Sequence, residues 1–165
     1  MTIRAGVLSD THLMQTNEHF NKLLAYCFHD CDVIIHAGDL TDLSILEAFT
    51  DQTVYAVHGN MCNKTAQRQL PGQLLFPLGR FHIGLCHGAG LGIDREDALW
   101  NLFPEADCII YGHTHRARCQ RSGSVLFFNP GSFQASSPYG APGTYGILEF
   151  GEKLHAHLFD VPHSL

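Results

Sequence analysis

Apolar residues recur along this chain in two alternating rhythms. Ile3–Leu8 is a short apolar run that stops at the polar pair Ser9-Asp10, which predicts a strand. Over residues 17–30, Phe20, Leu23, Leu24, Cys27 and Phe28 fall three and four apart, one apolar face of a helix. Val33-Ile34-Ile35 is wholly apolar and leads into His36-Ala37-Gly38-Asp39, a second strand and its exit. Thr41 or Asp42 is placed to cap a short helix over 41–49 that carries Leu43, Leu46 and Phe49. Residues 53–57 form a third strand, followed by His58-Gly59-Asn60. Strand, helix, strand, helix, strand predicts a parallel sheet.

The rhythm then changes to paired strands. Residues 73–77 and Phe81–Cys86 flank Leu78-Gly79-Arg80 as the arms of a hairpin. Asp94 is placed to cap a helix that turns Ala98, Leu99 and Leu102 inward, with Glu96 and Asp97 in its first turn, where acidic groups suit the helix dipole. Residues 108–111 are another apolar strand. Residues 117–121 and 124–128 predict a second hairpin over Ser122-Gly123, and Thr144–Phe150 with 153–160 a third over Gly151-Glu152. In the last strand Leu154, Ala156 and Leu158 alternate with His155 and His157, which puts both imidazoles on a solvated face. Residues 61–70 and 134–143 read as loops. No repeat or linker interrupts the chain, so residues 1–165 read as one domain.

With 165 residues, 45% hydrophobic and 16% charged, the chain has enough apolar material for one packed core. Its 10 Lys and Arg stand against 16 Asp and Glu, and the largest basic cluster is Arg116, Arg118 and Arg121. That balance argues against generic nucleic-acid binding, which needs a phosphate-neutralising surface. No apolar run approaches the ~18 residues a spanning helix needs, so no membrane association is expected. The six cysteines, at 27, 31, 62, 86, 108 and 119, show neither CxxC spacing nor a disulfide framework, and the N-terminus is strand-like. A soluble cytoplasmic protein is expected, with Cys27, Cys86 and Cys108 as buried thiols. Oligomeric state is left open, a homo-oligomer included.

Chemistry enters where the apolar runs end. The first strand is followed by Asp10-Thr11-His12, the second by Gly38-Asp39, the third by Gly59-Asn60. Phe81–Cys86 leads to His87-Gly88, and the 108–111 strand to Gly112-His113-Thr114-His115. Ligands of open α/β sheets bind outside the carboxyl ends of the strands, so these groups are expected at one rim. In extended chain, residues two apart point the same way, which would let Asp10 and His12, or His113 and His115, grip one object. The glycines before Asp39, Asn60 and His113 let the backbone leave the sheet sharply. Carboxylate, imidazole and amide oxygen together suit manganese, iron, zinc or nickel. Seven such groups exceed one tetrahedral site and suit two ions roughly 3.5–4 Å apart.

DTH at 10–12, GD at 38–39, GN at 59–60, HG at 87–88 and GHTH at 112–115 resemble, in that order, the signature of the calcineurin-like metallophosphoesterases. The small size and Asn129-Pro130-Gly131-Ser132 are similar to the compact bacterial and archaeal phosphodiesterase branch, to which the metallophosphoesterase-like subunit of retromer is also similar. The resemblance runs from residue 3 to about residue 150. It implies an α/β fold: a four-layer αββα sandwich of two mixed β-sheets flanked by helices. It implies that Asp10, His12, Asp39 and His115 hold one divalent ion, and Asp39, Asn60, His87 and His113 a second, with Asp39 bridging. Manganese is the first expectation. The implied reaction is hydrolysis of phosphodiester bonds, ahead of monoesters, in a small substrate, by a hydroxide shared between the ions. Asn60 and His87 then belong to the catalytic set, the Asn60 amide orienting a phosphate oxygen, and the 129–132 loop buttresses the rim.

One position departs from the pattern. Larger members place His directly after GN as proton donor to the leaving group, and the compact branch often has Cys-Asp. Here the residues are Met61-Cys62-Asn63, and Met61 has no proton to give. A general acid contributes about 10²–10⁴ in rate, so substrates with good leaving groups are expected. His58, two residues before Asn60, is the candidate donor and third catalytic residue. His36, three before Asp39, is expected to be buried support. Two rival readings stand beside the enzyme: a catalytically silent interaction module, and a single-ion hydrolase.

Overall fold

Strands with apolar side chains on both faces need cover on both faces. The computed structural model, which describes residues 1–13, 15–134, 142–163 and 165, meets that need with four layers. Met14 and most of the expected 134–143 loop lie outside the described residues. The elements in order are β1 (Ile3–Leu8), α1 (Glu18–Phe28), β2 (Val33–His36), a 3-10 turn (Leu43–Ala48), β3 (Thr53–Ala56), α2 (Lys64–Gln69), β4 (Gln73–Leu78), β5 (Phe81–Cys86), α3 (Arg95–Leu102), β6 (Cys108–Ile110), β7 (Arg118–Ser122), β8 (Val125–Asn129), β9 (Thr144–Phe150) and β10 (Leu154–Asp160).

They form two five-stranded sheets, β10-β9-β1-β2-β3 and β4-β5-β6-β8-β7. In the first, β1, β2 and β3 run parallel, and β9 pairs antiparallel with β1. In the second, β5, β6 and β8 run parallel between the antiparallel edges β4 and β7. Both sheets are mixed, as expected, and all three expected hairpins form. Alternate residues meet between the sheets: Ala5, Val7 and Ile35 face Ile83, Leu85, Ile110 and Phe128 in one cluster. The Tyr55 and Phe76 rings stack across this interface, with centroids 3.8 Å apart. The opposite parity, Leu8, Ile34 and Ile147, packs under Phe20, Leu24 and Phe28 of α1. On the other outer face, Ile109 and Phe127 pack under Leu99 and Phe103.

Helix α1 starts where the periodicity says, with the Asn17 carboxamide accepting from the Phe20 N–H at 2.8 Å. Three local expectations need correction. The 41–49 segment is a 3-10 turn and not an α-helix: Asp42 caps it through the Ser44 N–H, and its six residues, Leu43–Ala48, form the short, tight kind of turn that serves as a connector. The 61–70 segment is not all loop. It contains α2, capped by Asn63 on the Ala66 N–H, and only Ala66 of its six residues is buried, so no apolar face announces it. In α3, Asp94 makes no side-chain cap and Leu102 is exposed, while Leu99 is fully buried. That helix is anchored by one side chain and by Phe103 just beyond it. His155 and His157 are exposed, as the alternation predicts. All six cysteines are free, and every one but Cys119 is buried. Among the described residues no helix is long and apolar enough to cross a membrane.

The central strand β1 approaches α1 through a gap. A Cβ on Gly6 would run into the Phe28 ring, and Phe28 is only 1% exposed with no room to retreat. Gly6→Ala is therefore expected to destabilise the protein by about 1–3 kcal/mol through overpacking, read as a lower urea midpoint at unchanged slope. An unchanged midpoint would show that the contact is soft.

Candidate metal centre

The C-terminal ends of β1, β2, β3, β5 and β6 meet at one rim, and the seven candidate side chains leave from there. The reason they converge differs from strand alternation. Asp10, His12, Asp39, His113 and His115 have left-handed backbone, with φ of 57°, 49°, 56°, 70° and 59°. Only one other described non-glycine residue, Thr41, shares that conformation. Extended chain would have sent Asp10 and His12 outward together. Instead each exit curls back over the sheet edge, which aims carboxylate and imidazole inward. A left-handed L-residue costs about 1–2 kcal/mol, so the neighbouring structure must hold these turns closed.

Hydrogen bonds between the exits do the holding. The Asp10 N–H donates to the Gly38 carbonyl (2.9 Å) and the His12 N–H to the Asp39 carbonyl (3.0 Å). The Gly112 N–H donates to the His87 carbonyl at 3.0 Å. Buried Asn129 donates from Nδ2 to the Gly112 carbonyl and to Thr114 Oγ1, both at 3.0 Å, and its Oδ1 accepts from the Gly131 N–H. Ser132 Oγ donates to the Asp10 carbonyl at 3.2 Å. The 129–132 loop therefore buttresses the rim as expected. The glycines split into two kinds. Gly38 is left-handed, at φ 98°. Gly59 serves close approach instead: a Cβ there would fall on the Asp39 carboxylate.

The side chains form a continuous arc. Asp10 Oδ1 lies 3.2 Å from His115 Nε2, 3.7 Å from His12 Nε2 and 3.9 Å from His87 Nε2. Asp39 Oδ2 lies 3.1 Å from His87 Nε2 and 4.0 Å from His12 Nε2. His113 Nδ1 stands 3.2 Å from Asn60 Oδ1, and its ring meets the His87 ring edge-on at 5.2 Å. Among the described residues two groups are tight enough to hold an ion: Asp10, His12 and His115; and Asp10, Asp39 and His87. Asp10 is common to both, and Asp39 Oδ2 also reaches imidazoles on both sides. Asn60 and His113 sit at the far end of the arc, close to each other.

The chemistry of this donor set fits a cation. Asp10 and Asp39 are 0% and 2% exposed. Asp10 Oδ1, His12 Nε2 and His87 Nε2 are buried atoms without a hydrogen-bond partner among the described residues. The His87 ring donates from Nδ1 to the Ala37 carbonyl at 2.7 Å, so its neutral form turns a lone pair on Nε2 toward the Asp39 oxygen, out of line for a hydrogen bond. A lone pair facing a buried carboxylate is repulsive unless positive charge lies between them. The ionisation of the groups reports the same field. Burial alone would depress the His87 pKa, but Asp39, the Ala37 carbonyl and Asp10 outweigh it and raise it. Burial would likewise raise Asp39, yet His87 and the Met61 N–H hold it below the usual carboxylate range.

Two supporting residues were invisible in the sequence. Ser9 Oγ donates to Asp10 Oδ2 at 2.6 Å and fixes that carboxylate; a serine at a strand end carries no signal of its own. Thr11 Oγ1 meets His36 Nε2 at 3.2 Å, while His36 Nδ1 accepts from the Gly38 N–H. His36 thus braces both exits from behind, as expected. His58 is half-buried and lines one groove with Asn60, Gln67, His87 and Gly88. Met61 is 58% exposed; its backbone N–H donates to Asp39 Oδ1 at 2.7 Å.

His36 gives a pH signature. Burial, then the neighbouring His87, push its pKa from 6.5 down to about 3. The unfolded chain takes up this proton near 6.5, the folded one only near 3, so between these values the unfolded state binds more protons. The contribution is intact above about 6.5 and is lost as pH falls toward 3. In metal-free protein the His36 Cε1–H resonance should keep its neutral position from about pH 8 to about pH 4.5, while the urea midpoint declines below about 6.5. His36→Gln should flatten that decline. A His36 titration near 6.5 would contradict the buried neutral ring.

Comparison with known proteins agrees with this geometry. The model of the calcineurin-like phosphoesterase superfamily domain matches residues 3–153. A probable metallophosphoesterase of Methanothermobacter thermautotrophicus is 35% identical over 157 residues, covering 93% of this chain and 90% of the relative. The phosphodiesterase YfcE of Escherichia coli is 33% identical over 102 residues, 58% of this chain and 52% of the relative. The solved structure of vacuolar protein sorting 29 from Cryptosporidium parvum superposes with a TM-score of 0.79 at 20% identity, over 98% of this chain and 93% of that one, a likeness of fold. By its motifs, its two-sheet architecture and the match across nearly its whole length, the chain belongs to the calcineurin-like phosphoesterase superfamily, whose members are metal-dependent phosphoesterases.

Proposed function

We propose that this chain is a phosphodiesterase that works with two divalent cations, manganese foremost, on a small phosphoester. The observation that carries the reading is the pair of buried carboxylates, Asp10 and Asp39, ringed by imidazole nitrogens without partners. Asp10, His12, Asp39 and His115 would hold one ion; Asp39, Asn60, His87 and His113 the other, with Asp39 between them. When bound, the ions supply Lewis acidity to the phosphoryl oxygens and lower the pKa of water toward about 7. The preference for diesters is supported by the phosphodiesterase name of the Escherichia coli relative.

The chain's own groups do the rest. The Ala37 carbonyl fixes the His87 tautomer so that Nε2 faces the centre. The Asn60 amide, exposed at the rim, orients a phosphate oxygen. His58 shares a groove of about 360 Å³ with Asn60 and His87, and it donates the proton to the leaving oxygen. Met61 offers an apolar lip to the departing group and no proton. A catalytically silent interaction module on this scaffold is favoured by that one substitution; turnover separates the two readings.

Manganese-loaded protein should hydrolyse bis(4-nitrophenyl) phosphate slowly. Asp39→Asn and His87→Ala, each alone, should lower turnover by roughly 10²-fold or more. His58→Gln should slow an alkyl phosphodiester by about 10²–10⁴ and spare the aryl one, whose leaving group needs no proton. Aryl turnover that survives both centre variants would place the chemistry elsewhere. Wild-type protein with two bound ions and no turnover would favour the module.

A further inference from the structure

Beside the turn that carries His113 and His115 lies a second cleft, of about 610 Å³. Tyr111, Thr114 and Arg116 of that turn form one wall, and Arg95, Glu96 and Arg118 another. The three arginines differ. Arg118 is neutralised, with Nε and Nη2 each 2.7 Å from Glu96 Oε1. Arg95, from the first turn of α3, is partly buried; its Nε is a fully buried donor without a partner. Among the described residues its guanidinium makes no ion pair. Asp94 and Asp97 are exposed and line the same cleft, but among the described residues neither forms an ion pair with Arg95. Arg116 is exposed, and among the described residues its guanidinium also makes no ion pair.

Because Nε is closed off, the Nη groups of Arg95 are the donors it can offer to the cleft, and they stand outside any ion pair among the described residues. Its planar fork suits a carboxylate or phosphate, which accepts two parallel N–H groups. The cleft adjoins the metal centre through Thr114, which lines it and sits between His113 and His115.

We propose that Arg95, assisted by Arg116, binds a second anionic group on the alcohol part of the phosphodiester, and so selects substrates that carry a phosphate or carboxylate beyond the scissile phosphate. The inference rests on the phosphodiesterase reading and names the substrate class of that site. Arg95 holds the substrate's far end, Glu96 and Arg118 fix the wall behind it, and Thr114 marks the path between the two anions.

The test compares kcat/KM in manganese-loaded protein for two matched pairs: 5′-phosphorylated thymidine dinucleotide against the same dinucleotide without that phosphate, and glycerophosphoserine against glycerophosphoethanolamine. The first pair reports phosphate, the second carboxylate. Wild type should favour the anionic member of at least one pair by roughly 10- to 100-fold. Arg95→Gln should bring that ratio to about one, and Arg95→Lys should restore part of it, since Lys keeps the charge but not the fork. Urea midpoints of both variants check that they are folded. Independently of turnover, inorganic phosphate added to metal-free protein should shift the Arg95 Nε–Hε resonance. A ratio near one in wild type for both pairs, a ratio unchanged by Arg95→Gln, or an unmoved Arg95 resonance would overturn the proposal. If bis(4-nitrophenyl) phosphate is still hydrolysed, the phosphodiesterase reading survives that failure; if no diester is hydrolysed, both readings fall.

Discussion

Two carboxylates are held out of water within 4.8 Å of each other, and the rest of the rim is arranged around that fact. At an effective dielectric of about 20, two charges at that distance repel by about 3–4 kcal/mol. The fold offsets part of this with local donors. Ser9 Oγ and the His113 N–H serve Asp10 Oδ2, and the Met61 N–H serves Asp39 Oδ1. The oxygens left over, Asp10 Oδ1 and Asp39 Oδ2, are the ones turned toward imidazole nitrogens. A protein that wanted only stability would have put apolar side chains or a resident arginine there. An unanswered negative cluster of this kind is a standing demand for cations.

Holding it requires backbone that ordinary residues avoid. Five candidate ligands are left-handed, and the turns that contain them are tied to one another by backbone hydrogen bonds. Asn129 joins the 112–115 turn to its own loop, Ser132 closes that loop onto Asp10, and His36 braces Thr11 and Gly38 from behind. Strain at the rim is carried by the double-sided core beneath it, where both sheets bury Ile35, Leu85, Ile110 and Phe128 together. The elements that aim the ligands are thus distinct from the elements that stabilise the chain. A turn can vary at the rim without disturbing the sandwich.

The sheets were legible because apolar runs bounded by Gly, Asp and Asn mark strands well; β7, polar and exposed throughout, was legible only as the partner arm of a hairpin over Ser122-Gly123. The clustering of Asp10, His12, Asp39, His87, His113 and His115 was legible because each follows a run directly. What the residues did not disclose is how they turn. Strand alternation suggested extended pairs at 10 and 12 and at 113 and 115; only hydrogen bonds from distant loops make the left-handed form hold. Helix α2 was missed because Lys64–Gln69 has almost no apolar face, and Leu102 was placed inward because spacing alone cannot say that α3 touches the sheet through Leu99. Arg95 has no motif at all. Its interest comes from its place in a cleft beside the 112–115 turn, which no linear pattern shows.

The central claim is that this rim gathers two cations between named side chains. Anomalous diffraction from a manganese-loaded crystal tests it most directly. Two peaks are predicted, roughly 3.5–4 Å apart, one against Asp10, His12 and His115 and the other against Asp39 and His87. A lone peak, or density away from Asp10 and Asp39, would contradict it.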